Sequence, residues 1–97
     1  MKPSGQMKLG IAWFRPEQWS RLLEVSADRE NLEVTFAEWE QQAEEKLRAL
    51  RAEGLEIEKV IVDVEELLAW CKSQNLSVDG VARSKYVAEL VRKQDLH

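Results

Sequence analysis

The chain has 97 residues, is 44% apolar and 33% charged, and carries a formal net charge of −4. That composition excludes intrinsic disorder and suits one folded domain, which at this length buries roughly 60–65% of its unfolded surface. Its apolar runs, such as Ile11-Ala12-Trp13-Phe14, are far too short to cross a bilayer, and an acidic balance disfavours nucleic acid as the main partner.

Residues 1–7 are mostly polar and read as a flexible leader, with Met7 as an alternative start; a single domain is expected over 8–96. The leader has no apolar stretch of the kind an export signal needs, which favours the cytoplasm. Lys8 to Phe14 is dense in strand-favouring residues and stops at Arg15-Pro16, where proline suits the first turn of a helix. The helix from Pro16 to about Ser26 puts Trp19, Leu22 and Leu23 on one face. Ala27 to Asn31 is polar and reads as a turn.

Thr35 and Glu38 then have capping-box spacing. Phe36, Trp39, Ala43, Leu47 and Leu50 form an apolar stripe at spacings of three and four, and Gly54 is a natural left-handed stop. Glu44 and Arg48 are placed for an ion pair one turn apart. Glu56 to Asp63 reads as a second strand, continuously apolar at its end as a buried strand would be. Asp63 and Glu66 repeat the capping logic, and the helix behind them buries Leu67, Leu68 and Cys71. Asp79 or Gly80 starts a last helix with Val87, Leu90 and Val91 on one face.

The fold class is therefore α/β, in the order β-α-α-β-α-α, with a minimal two-stranded parallel sheet. Such a sheet is marginal alone and has two open edges. Trp13 and Phe14 point to opposite faces of the first strand, so both faces need cover. These points lead to the expectation of a homodimer, formed across a strand edge or through apolar helices.

Ligands of open parallel sheets collect beyond the carboxyl ends of the strands. Those ends carry Arg15 and Asp63, with Glu66 close by in sequence. Arg15 and the amides of the two helix starts are candidates for holding a phosphate, carboxylate or nucleotide. Asp63, Glu65 and Glu66 are candidates for metal binding or acid–base work. The competing reading is structural: Asp63 caps its helix, the glutamates complement the helix dipole, and Arg15 pairs with Asp63.

Cys71 is the only cysteine, so no intrachain disulfide forms, and its apolar surroundings suit a buried thiol. The only histidine is His97, which leaves no histidine pair for catalysis or metal binding. No glycine-rich phosphate loop is present, and no cofactor is called for. Residues 24–66 hold fourteen acids and five bases, while residues 80–97 carry a net +2. Arg83, Lys85, Arg92 and Lys93 with Tyr86 make the last helix basic and amphipathic, a weak candidate for nucleic-acid contact.

Phe14-Arg15-Pro16-Glu17-Gln18-Trp19 and the run from Asp79 to Val87 are similar to segments of small uncharacterised bacterial proteins. That resemblance implies no activity and transfers no site. The leading expectation is a non-catalytic protein-interaction or regulatory module. A small anion- or nucleotide-binding protein is the alternative, and a carboxylate-based enzyme is weaker still.

Overall fold

The computed structural model describes residues 9–94, so the leader expected over residues 1–7 lies outside the described residues. Strand β1 (Leu9–Trp13) leads through a 3-10 turn at Pro16–Gln18 into helix α1 (Trp19–Val25). A second 3-10 turn at Arg29–Asn31 precedes α2 (Phe36–Ala52), followed by β2 (Ile57–Ile61), α3 (Val64–Ser73) and α4 (Gly80–Gln94). The expected β-α-α-β-α-α order is observed. The strands pair in parallel, with Leu9 opposite Ile57 and Trp13 opposite Ile61.

Local chemistry sets most of the boundaries. Thr35 Oγ1 accepts the Glu38 amide at 3.2 Å to start α2, and Asp63 Oδ1 accepts the Glu66 amide at 3.0 Å to start α3. Asp79 Oδ1 does the same for the Ala82 amide at 2.9 Å, ahead of α4. Beyond α2, Gly54 takes φ +92°, a left-handed value that glycine adopts without a Cβ penalty. One boundary departs from expectation. Pro16 opens a 3-10 turn, not the α-helix itself, because Gln18 leaves helical geometry (φ −104°, ψ 0°) and turns its side chain across to α3.

The sheet is the middle of three layers. On one face, α2 packs Ala43 and Leu47 against Trp13 and Ile57. On the other, α1, α3 and α4 enclose Phe14, Leu22, Val62, Leu67, Cys71 and Val87. Trp13 and Phe14 are both buried, on opposite faces. The chain's own helices cover both, so those two side chains require no second subunit. Trp39 at the rim of α2 meets both aromatics, with ring centroids 5.1 Å from Trp13 and 5.4 Å from Phe14, and lies 5.3 Å from Trp19. Such edge-on and tilted pairs each add about 0.5–1.5 kcal/mol beyond area burial.

Two expectations are corrected here. Ile61, expected in a continuously buried strand end, is 50% exposed. With only two strands, α2 covers the start of β2 at Ile57 and leaves its end open. Glu44 does not pair along the helix with Arg48. Its carboxylate accepts from Lys59 Nζ at 2.9 Å, because the α2 face carrying it lies against β2. Lys59 also stands over the Trp13 ring, 4.1 Å from its centroid, which favours the cross-layer partner.

Gly10 sets how closely α4 approaches the sheet. A Cβ at this position would stand 2.7 Å from Val91 Cγ2, 2.8 Å from Val60 Cγ2 and 3.0 Å from Val87 Cγ1. Glycine is needed here for the close packing of a helix on a strand.

Candidate functional site

The carboxyl ends of the strands do bring Arg15 and Asp63 together. An Arg15 guanidinium nitrogen lies 3.9 Å from Asp63 Oδ2, with both side chains substantially exposed. Asp63 is occupied more firmly by its own helix. Its Oδ1 caps Glu66, and its Oδ2 accepts from Gln18 Nε2 at 3.4 Å. Gln18 Oε1 in turn accepts the Val64 amide at 3.0 Å. The cap on Glu66, with help from Gln18 and the charge of Arg15, holds the Asp63 carboxyl below the usual range.

Two of the α3 start amides expected to face an anion are thus already satisfied by Asp63 and Gln18. Glu65 turns to Arg21, whose Nε donates to Oε2 at 2.6 Å, and that bond lowers the Glu65 pKa. Glu66 contributes its amide to the Asp63 cap, but its side chain lines a different groove, with Ile61, Tyr86 and Lys93. Arg15, Asp63 and Glu66 therefore do not converge on one cavity. Among the described residues, no group of three or more histidine, cysteine, aspartate or glutamate side chains is arranged to hold a metal ion.

Of the basic residues on α4, Arg83 is used internally. The Arg83 side chain is only 12% exposed and makes a two-pronged contact to Asp28, at 3.0 and 2.6 Å, plus a bond to Ser26 Oγ at 3.3 Å. This pair holds the Asp28 carboxyl below its usual range. Tyr86 is buried, and Arg92 and Lys93 lie 3.5 and 3.7 Å from Glu89. Cys71 is fully buried, and desolvation pushes its thiol up, away from the reactive thiolate.

A further groove lies at the free edge of β1. The Leu9 amide donates to the Glu56 carbonyl, and the Trp13 carbonyl accepts from the Val62 amide. The odd-numbered residues of β1 therefore turn their peptide groups to β2. By alternation, Gly10 and Ala12 turn theirs outward. Among the described residues, these outward N–H and C=O groups have no hydrogen-bond partner. They lie in a groove of about 420 Å³ between α2 and α4. Trp39 and Ala43 form one wall, Val87 and Ser84 the other, and Lys46 and Arg83 stand among the polar lining.

Reading the sequence alone missed this groove. Its one available signal was a strand whose outward positions, Gly10 and Ala12, are small and uncharged, in contrast to the Glu58–Lys59 pair in the second strand. Comparison with protein families, curated proteins and solved structures finds no match. No helix among the described residues is long and apolar enough to cross a membrane.

Proposed function

We propose that this chain is a non-catalytic protein-interaction module whose contact element is the open edge of β1. The observation that carries the reading is the pair of peptide units at Gly10 and Ala12, unpartnered among the described residues and set between largely apolar walls. A strand edge of this kind is a template for an added strand. Main-chain hydrogen bonds supply affinity, and the walls receive alternate side chains. The carboxylates near the strand ends support the same reading from the other direction. Asp63 and Glu65 are committed to a cap and to an ion pair with Arg21, in place of facing one shared position.

A regulatory role exercised through such binding is part of this proposal. The edge accepts a strand from a different protein or from a second copy. In the latter case a homodimer would carry a four-stranded sheet.

The test is selection of random twelve-residue peptides on the immobilised full chain, with Ala12→Pro as the comparison. Proline at this position removes an outward N–H and no bond of the β1–β2 ladder, so the fold should persist. Selected peptides are expected to lose at least ~5-fold in affinity for Ala12→Pro, from the missing bond and the added ring. Ser84→Trp, at an exposed position on the groove wall, should weaken the same peptides if the proline variant does not fold. Peptides that bind the variants as well as the parent, or the absence of any selected peptide together with a monomeric chain, would overturn the reading.

A further inference from the structure

We infer that the occupant of the β1 edge is an extended, acidic segment of another protein and not a second copy of this chain. The inference rests on the edge reading above and specifies its partner. It begins with charge. The chain is acidic overall and residues 24–66 are strongly so, yet the groove lining contains Lys46 and Arg83 and no carboxylate. Arg83 is already balanced by Asp28. Lys46 forms no ion pair among the described residues, and it has no acid three or four positions away along α2.

Its position follows from the packing. Helix α2 runs against β1, from Trp39 beside Phe14 to Leu50 in the cluster that holds Ile57. Ile57 is opposite Leu9, so Lys46 stands toward the Leu9 end of the groove. An incoming strand with a carboxylate at that end completes the pair.

A second copy satisfies neither charge nor space. A two-fold interface places the same patch on both sides. Here each copy would bring an unpaired Lys46 to the seam, with no carboxylate in either groove lining to meet it. Antiparallel pairing of two β1 strands also sets them about 4.8 Å apart, whereas packed helices need about 8–10 Å. Helix α4 leans on β1, with Val87 and Val91 closing over Gly10, so two copies would crowd their α4 helices together. A lone extended segment brings no helix of its own.

The experiment uses the full chain and four synthetic heptapeptides of alternating valine and threonine, with a glutamate or a lysine at one terminus or the other. Binding is read from the amide signals of Gly10 and Ala12 and from tryptophan fluorescence, and the mass of the free chain is read by sedimentation. The expected result is a monomer that binds one glutamate peptide ~3-fold or more tightly than its lysine counterpart, with Gly10 and Ala12 amides protected. Lys46→Glu, at an exposed position, should reverse that preference without loss of fold. Equal binding of glutamate and lysine peptides at Gly10 and Ala12 would overturn the acidic partner but leave the edge reading intact. A dimer with those same amides protected in the absence of peptide would overturn the inference in favour of a second copy. A monomer that binds no peptide at the edge would remove both.

Discussion

The two outer edges of the sheet belong to strands of equal length, yet they are finished differently. On β2, the outward Ile57 carbonyl accepts two bonds from the Arg51 side chain, at 3.2 and 2.8 Å. The strand itself carries Lys59, and the groove beside it is lined by Lys59, Glu66 and Lys93. On β1, the outward residues are Gly10 and Ala12, their peptide groups are unpartnered among the described residues, and the walls are largely apolar. Charged side chains and covered carbonyls are how proteins blunt a strand edge against pairing. Among the described residues, the outward groups of Lys59 and Ile61 are also without a partner, so the difference is one of degree: β2 is guarded by charge and by one covered carbonyl, and β1 by neither.

The largest test of the contrast is at Gly10. Replacing it with alanine forces a methyl group into Val87, Val91 and Val60, and should cost about 1–3 kcal/mol by overpacking. A thermal melt should show this as a fall of about 4–8 °C per kcal/mol. An unchanged melt would mean that α4 does not lean on the β1 edge as described.

Next is the ion pair that anchors the amino end of α4 beside the groove. Asp28→Asn leaves the mostly buried Arg83 guanidinium without its carboxylate and should cost about 1–2 kcal/mol. The native Asp28 carboxyl lies below its ordinary value of 3.8, chiefly through its bond to Arg83. Its contribution is therefore present in full above the unfolded pKa and is lost as pH falls through the lower native value. Urea midpoints of the parent should decline through that acid window. The Asp28→Asn variant should start lower at pH 7 and lack this share of the decline.

The protected edge offers a reciprocal test. Arg51→Ala uncovers the Ile57 carbonyl and should cost about 1 kcal/mol. More tellingly, it should raise self-association at high protein concentration, measured by sedimentation, because β2 loses its cover. Lys59→Ala should have the smallest effect on stability, about 0.5 kcal/mol, since its pair with Glu44 is partly exposed. It should add to the association caused by Arg51→Ala. If neither variant associates, the guarding role of these side chains is wrong.

Much of the architecture was legible because it is written in short-range chemistry. Thr35, Asp63 and Asp79 each act on an amide three residues away, and the stripe of α2 repeats at the helical period. The Arg15–Asp63 meeting also followed from parallel strands ending side by side. The Glu66 side chain instead lines a groove with Tyr86 and Lys93, a position set by where α4 packs and not by local spacing. The Arg83–Asp28 pair spans 55 positions, and nothing local to the last helix announces it.

The open edge marks the boundary between these two kinds of information. By itself the sequence determined that there are two short strands, four helices, and caps that fix where three of those helices start. Those features depend on neighbours within a turn or two. Only the tertiary structure decided which edge of the sheet is the more guarded. That choice depends on where α2 and α4 come to rest, on Arg51 reaching the Ile57 carbonyl, and on the absence of a Cβ at Gly10 that lets α4 close. An edge is a property of the assembled sheet, because a peptide group counts as free only once every other element has been placed.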